Sequence, residues 1–181
     1  KMNLPIVPIT DLVGKNDNMI ASTQGRSFWI VDELAQLRQM RDAKTNRFQF
    51  DQPADTYRMT GASYKSQEAG TNYQGGLMAF YYLPDELKKE DTLSITLLEQ
   101  DGDTIVKYST HHKEKPYQIS PKEGMNKFNW GLRYSAAKRF DGMVMWAGNL
   151  SGPRAIPGEY RIEINYNETI QSKTFSLLKV P

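Results

Sequence analysis

Residues 152–166 of the chain, GPRAIPGEYRIEINY, decide its fold because they join turn signals to one regular strand. From Tyr160 onward, apolar or aromatic residues alternate with polar ones. This period of two predicts a strand with one face in a core and the other in water. The pair Pro157-Gly158 predicts a tight turn at the start of the strand, since proline fixes φ and glycine accepts a positive φ. The residues predicted to face inward are Tyr160, Ile162, Ile164 and Tyr166.

Other short segments have the patterns of strands that could pair with this one. Residues 77–83 are a continuous apolar run closed by Pro84, and Asp101-Gly102 is a hairpin signal. A second turn is predicted at Asn167-Glu168. Such strands, separated by turn signals, predict a mainly β fold. For residues 77–181 they indicate a β-sandwich of the immunoglobulin or fibronectin type III kind. Trp130 is predicted to be its largest core side chain.

The chain before residue 77 divides into two further parts. Residues 1–41 are predicted to contain short strands, including one over 4–9, followed by a short helix that begins after Asp32. Residues 42–76 are rich in Gly, Ser, Thr, Asn and Gln and are predicted to be a connector. The domain prediction is therefore 1–41, then a connector over 42–76, then 77–181.

Composition narrows the classes of function. The chain has 23 Lys and Arg against 21 Asp and Glu, interspersed along its length, so no basic face for nucleic acid is predicted. It has no cysteine, which removes disulfides and thiolate chemistry. No apolar run approaches the roughly 20 residues of a membrane helix, so no membrane span is predicted. Phosphate loops, dinucleotide fingerprints, nucleophile elbows and zinc helices are absent, and neither a cofactor nor a metal is predicted.

A few polar residues are candidates for a catalytic or metal-binding site. Asp32 and Glu33 are paired acids of the kind a glycosidase uses, although adjacent acids at a helix start more often cap the helix. His111-His112 point to opposite faces of a strand and favour a solvated loop over a metal site. Residues 101–103, DGD, favour a hairpin turn over a calcium site.

Aromatic residues in loop-like sequence are the stronger candidates for ligand binding. Tyrosine and tryptophan combine a large apolar ring with a polar handle, so they can stack on sugar rings or bury against a neighbouring domain. Both interpretations stay open for Trp146, whereas packing is favoured for the three tyrosines. The candidate carbohydrate-binding residues are Trp146, Tyr73, Tyr64 and Tyr117. No catalytic residue and no metal ligand is predicted.

Three motifs in order along the chain carry a family resemblance. Residues 23–34 read TQGRSFWIVDEL, and residues 124–134 read GMNKFNWGLRY. Residues 142–146 read GMVMW and are followed by Gly-Pro at 152–153 and by PGEY at 157–160. Together these motifs resemble the C-terminal region of secreted bacterial β-propeller proteins of the sortilin-like, neuraminidase-repeat class, which are often described as glycosyl-hydrolase-like.

This resemblance implies an architecture and a role. It implies that residues 1–31 are the last strands of a propeller, which lies N-terminal in the same chain and is the expected partner. Without the propeller, residues 1–31 are expected either to dock on the sandwich or to pair with a second copy, since unpaired strand edges seek partners. It also implies a secreted or periplasmic protein. The leading hypothesis is a non-catalytic accessory module; the alternatives are a carbohydrate-binding module, with a glycan as ligand, and a glycosidase fragment that uses Asp32 or Glu33.

Overall fold

The structure is a computed structural model that describes residues 4, 6–15, 17–32, 34–42, 47–59, 75–138 and 140–180. The chain divides into two compact units, Lys1–Lys44 and Thr45–Pro181, and each is described by itself. The described residues are mainly β. In chain order, the strands are β1 Ile9–Lys15, β2 Asn18–Thr23, β3 Phe28–Val31, β4 Gln49–Phe50, β5 Thr56–Tyr57, β6 Leu77–Leu83, β7 Leu93–Glu99, β8 Thr104–Ser109, β9 Gly124–Trp130, β10 Gly158–Tyr166 and β11 Thr169–Leu178. The helix α1 spans Leu34–Asp42, and a 3-10 helix spans Lys115–Tyr117.

The first unit is an antiparallel sheet with the order β1-β2-β3, followed by α1. Of the segment predicted to be extended over residues 4–9, only Ile9 lies in a strand among the described residues, and this first strand, β1, continues to Lys15. Its hairpin closes at Asp17, which has a φ of 61°, and Pro8 stays outside the strand because proline has no N–H to donate. The amide of Leu34 donates to the carbonyl of Asp17 at 2.7 Å, so the first amide of α1 is satisfied there and not by Asp32.

The second unit contains two sheets. One has five strands in the order β5-β11-β10-β7-β8, and the other has three in the order β4-β6-β9. All neighbouring strands are antiparallel except β5, which runs parallel to β11. The strand predicted from residues 152–166 is β10, at the centre of the larger sheet. Its inward face is confirmed, since Tyr160, Ile162 and Ile164 are buried and Tyr166 is half-buried.

One hydrophobic core is shared by both sheets of this unit. Trp130 on β9 is 1% exposed and is the largest fully buried side chain, as predicted. Its ring lies 6.1 Å from the ring of Tyr160 and 6.2 Å from that of Phe175, both on the opposite sheet. These edge-to-face contacts hold the two sheets against one another.

A strap, residues 47–59, crosses from one sheet to the other within the range predicted as a connector. Its strand β4 pairs with β6, and its strand β5 pairs with β11. At β4, the side chain of Gln171 on β11 accepts from the backbone amide of Phe50 and donates to the carbonyl of Phe48. The prediction of a connector over 42–76 left out these strands, because two-residue strands are too short to show a period.

Two predicted turns are also present. Gly102, with a φ of 100°, lies in the β7–β8 hairpin, and Asn167 and Glu168 both have positive φ in the two-residue turn between β10 and β11. Within the part of the chain that the structure describes, no helix is long and apolar enough to cross a membrane.

Candidate functional site

The most prominent surface feature of the second unit is an arm formed by residues 132–155. Its two sides are joined by backbone hydrogen bonds from Tyr134 to Pro153, from Ala155 to Leu132 and from Ala137 to Leu150. The stem is a ladder without regular strands, apart from one antiparallel bridge between Arg133 and Arg154. The arm therefore extends from the core edge as an irregular hairpin, with its tip at residues 140–148.

The stem depends on a close backbone approach at Gly152. A Cβ atom built there would lie 2.1 Å from the carbonyl oxygen of Tyr134, which no side chain can accommodate. The guanidinium of Arg133 also donates to the Gly152 carbonyl at 2.8 Å. The Gly-Pro dipeptide of the sequence motif thus has a packing role, since only glycine lets the two sides of the stem meet.

Side-chain bonds attach the stem to the sheets. The indole N–H of Trp130 donates to the carbonyl of Arg133 at 2.9 Å, and the Ser135 hydroxyl donates to the carbonyl of Ile105 at 3.0 Å. The Tyr134 hydroxyl donates to the carboxylate of Glu99 at the end of β7. This bond, together with burial, raises the pKa of Tyr134, so the phenol remains a donor over the physiological pH range.

The tip of the arm exposes apolar side chains. Trp146 is 98% exposed, and Phe140 and Val144 are largely exposed beside it in the sequence. The segment 143–146 is a loop, as expected from the loop-like sequence around Trp146. Exposing the large apolar ring of a tryptophan to water is unfavourable in free energy unless a ligand or a partner covers it. The tip is therefore a candidate binding surface.

A second candidate surface is a groove on the outer edge of β8, which we call the β8 groove. It has a volume of about 630 Å³ and is lined by Thr104, Val106, Lys107, His112, Glu114, Tyr117 and residues 135–138. Tyr117 is half-buried: its ring packs 5.8 Å from that of Tyr108 and 5.2 Å from that of His112. Its hydroxyl accepts a hydrogen bond of 2.8 Å from the amide of Ala136.

The two aromatic candidates that the structure describes, Trp146 and Tyr117, do not form one site. Trp146 lies at the arm tip and Tyr117 lines the β8 groove, whose lining does not include Trp146. Tyr64 and Tyr73 lie outside the described residues. Sequence reasoning missed the groove itself, because its lining comes from three separate segments that only the fold brings together.

Of the two histidines, His112 lines the β8 groove and His111 does not, and their surroundings differ. His111 is exposed and its Nε2 lies 3.1 Å from the carbonyl of Asp91. His112 is half-buried, and its Nδ1 accepts from the amide of Glu114 at 3.1 Å. Among the described residues, no group of three or more His, Asp and Glu side chains is arranged to hold a metal ion.

The carboxylates considered as candidates for chemistry are Asp32, Glu33 and Asp101. Asp32 is exposed between β3 and α1, whereas Glu33 lies outside the described residues, so no geometry of that pair is defined. Asp101 accepts from the amide of Asp103 at 3.1 Å, as expected for a hairpin turn. The geometry of the described residues does not favour the glycosidase hypothesis.

One buried carboxylate was not foreseen from the sequence. Asp51, in the strap, is 3% exposed. Its Oδ1 accepts a hydrogen bond of 2.9 Å from the side-chain amide of Gln49. Its Oδ2 has no hydrogen-bond partner among the described residues. Burial raises its pKa, although Gln49 and the charge of Lys173 partly oppose that shift. Nothing in the local sequence signals this, since burial here results from the strap crossing between sheets.

The sheet of the first unit presents a third surface. Val13, Ile20 and Ile30 are directly paired across β1, β2 and β3, so their side chains form one row on one face. Ile30 is 58% exposed. Phe28 is two residues away on β3, so its side chain lies on the same face, and it is 72% exposed. We call these four side chains the β1–β3 apolar row.

Comparison with known proteins found no match to this chain among protein-family models, curated proteins or solved structures.

Proposed function

We propose that this chain is a non-catalytic accessory module of a secreted or periplasmic bacterial protein. In this proposal, residues 1–44 contain the closing strands of a β-propeller, and the second unit is an immunoglobulin or fibronectin type III-like β-sandwich that follows it. The partner is the propeller of the same protein, as the three sequence motifs imply. The observation that carries the proposal is the β1–β3 apolar row.

The first unit has the features of an incomplete propeller blade. A blade is a four-stranded antiparallel sheet, and β1, β2 and β3 form a three-stranded antiparallel sheet in simple chain order. Blades pack face to face around the propeller, so their faces are apolar. The β1–β3 apolar row has that character, and a neighbouring blade would cover side chains that are otherwise left in water.

The second unit supports the sandwich part of the proposal through its strand order. In the immunoglobulin arrangement, the first strand of the chain divides its pairing between the two sheets. The strap does this here, since β4 pairs with β6 in one sheet and β5 pairs with β11 in the other. In addition, Tyr160 near the start of β10 donates from its hydroxyl to the carbonyl of Ile156, like the tyrosine corner of such domains.

The reading frame of the gene upstream of the codon for Lys1 tests this proposal. Blade-like repeats of four short strands encoded there would support it, and an upstream sequence without such repeats would overturn it. The encoded upstream segment can then be produced as a separate polypeptide and mixed with this chain. Ile30→Lys should abolish co-purification, whereas Ile170→Lys, at a comparably exposed position of β11, should leave it intact.

A second candidate function is glycan binding by the arm tip. The observation that favours it is the near-complete exposure of the Trp146 ring, which leaves a face free for stacking on a sugar. Titration of the protein with polysaccharides should shift Trp146 fluorescence to shorter wavelength, and Trp146→Phe should remove the shift. The other tryptophans are Trp130, which is buried, and Trp29, which is in the first unit, so a shift that persists in Trp146→Phe would contradict binding at the tip.

A further inference from the structure

The β8 groove is built around a gap in the edge of the larger sheet. β8 is the outermost strand, and its outward carbonyls at Ile105 and Ser109 accept hydrogen bonds from the amides of Ser135 and Ile119. Lys107 lies between these two residues on the same edge, because backbone groups alternate in direction along a strand. Its outward N–H and C=O have no partner among the described residues, so the groove floor offers one free donor and one free acceptor.

Two side chains on the groove wall add further donors. Nδ1 of His112 lies 3.1 Å from the backbone amide of Glu114, which can only donate, and 3.3 Å from the Glu114 carbonyl. In the tautomer that accepts the shorter of these two contacts, the proton is on Nε2, which can donate to a ligand. The Tyr117 hydroxyl accepts from the Ala136 amide, and its own proton remains free to donate. A donor-rich wall of this kind favours a ligand rich in acceptor oxygens.

The charges at the rim favour a negative ligand. Lys107 and Lys138 line the groove, and Glu114 is the single acidic residue among the described residues of its lining. An anionic ligand would form charge-assisted hydrogen bonds with the two lysines, which are roughly twice as strong as neutral ones. The net positive charge of the lining therefore favours an anionic ligand, such as a carboxylate, over a cation.

The shape of the gap argues against an extended peptide as the ligand. Adding a strand to a sheet edge needs a run of free backbone groups, and the bonds to Ser135 and Ile119 leave only the groups of Lys107. The volume of about 630 Å³ lies within the usual range for small-ligand pockets, ~300–1,000 Å³. Tyr117 and His112 supply an aromatic wall against which a sugar ring can pack.

We propose that the β8 groove binds a carboxylate-bearing sugar residue of the uronic acid type. The carboxylate lies between Lys107 and Lys138, and the ring hydroxyls bond to the Lys107 backbone, His112 and Tyr117. This site is separate from the arm tip and goes beyond the accessory role, which rests on the first unit and on the strand order of the second. Failure of the groove proposal therefore leaves the accessory proposal intact.

The test is a titration of the isotopically labelled chain with galacturonic acid trisaccharide, followed by amide chemical shifts, with a neutral galactose trisaccharide in parallel. The acidic trisaccharide should perturb the amides of Lys107, His112 and Tyr117, and the neutral one should bind at least about tenfold more weakly. Lys107→Gln and Lys138→Gln should each weaken binding by about tenfold, as expected for loss of one charged hydrogen bond. Lys89→Gln, which changes the net charge equally outside the groove, should change it by less than about twofold.

Several results would overturn the proposal. These are no binding of the acidic trisaccharide, equal binding of the neutral one, or equal weakening by Lys89→Gln. Perturbation confined to the amides around Trp146 would also overturn it and would instead support glycan binding at the arm tip.

Discussion

The hydroxyl of Tyr160 donates a hydrogen bond of 2.7 Å to the carbonyl of Ile156, four residues earlier in the chain. This bond spans the turn at Pro157-Gly158 that leads into β10, the central strand of the larger sheet. The Tyr160 ring also stacks on Phe175, with 5.9 Å between ring centroids. A single side chain thus joins the end of the arm to the core, so the turn and the first residues of β10 are fixed together.

We expect Tyr160→Phe to lower the free energy of unfolding by about 1 kcal/mol, because it removes this hydrogen bond and keeps the ring in place. Denaturant titration of the two proteins measures the difference. Tyr82→Phe is a matched control: Tyr82 is half-buried on β6 and its hydroxyl has no hydrogen bond in the described part of the chain. Equal losses in the two variants would show that the bond to Ile156 adds nothing.

Trp130→Ala should destabilise the protein by about 3–5 kcal/mol, because it leaves a cavity between the two sheets. Trp146→Ala removes a side chain of the same size from a 98% exposed position and should change stability by less than about 0.5 kcal/mol. Thermal and denaturant melts of both variants test the contrast. A neutral Trp130→Ala, or a large loss in Trp146→Ala, would mean that the placement of these tryptophans is wrong.

The parts of the fold with a clear residue period were predictable from sequence. The alternation in β10 predicted its buried face, and the bulk of Trp130 in an alternating segment predicted its place in the core. The positions of the Gly102 and Asn167-Glu168 turns followed from local turn chemistry. In each case the signal lies within a few consecutive residues.

The strap and the β8 groove were not predictable in this way. In the strap, β4 and β5 have two residues each, and they are held by Gln171 and by β11, more than a hundred residues away in sequence. The groove joins three segments that are separate in sequence. For Trp146, the sequence predicted a position in a loop, but it could not predict the exposure of the side chain, which depends on how the whole arm folds.

Glu168→Gly should stabilise the protein by about 1 kcal/mol. Asn167 and Glu168 have φ values of 45° and 71° in the two-residue turn between β10 and β11, and a side chain with a Cβ is strained in that region. Glycine at this second position gives the Asn-Gly pair that such hairpins favour. Glu168→Ala, which keeps the Cβ, should bring no comparable gain in a denaturant titration. An equal gain from alanine would show that relief of backbone strain is not the cause.

Asp91→Asn should reduce the loss of stability at low pH. The Lys88 amide and the Asn167 side chain both donate to the Asp91 carboxylate, and these bonds lower its pKa in the folded protein. A lowered pKa means that the charged form stabilises the fold above the unfolded-state value, about 3.9, and that this stabilisation is lost as the pH falls through the folded-state pKa. Unfolding titrations between pH 2.5 and 5 should therefore show a shallower acid slope for Asp91→Asn than for the wild type. Identical slopes would contradict the assignment.

Asp51 should change the pH dependence of stability in the opposite direction to Asp91 and in a higher pH range. Its carboxylate is buried with one oxygen unpartnered, so burial raises its pKa above the unfolded value of about 3.9. The folded protein then binds this proton more tightly than the unfolded chain does, and stability falls as the pH rises from about 3.9 through the folded pKa. In Asp51→Asn that slope is absent, so the variant should gain stability relative to the wild type between pH 4 and 7. Asp91→Asn is the internal control, because the change in its effect is expected below about pH 3.9 and has the opposite sign. A stability difference between Asp51→Asn and the wild type that stays constant over pH 4–7 would refute the prediction.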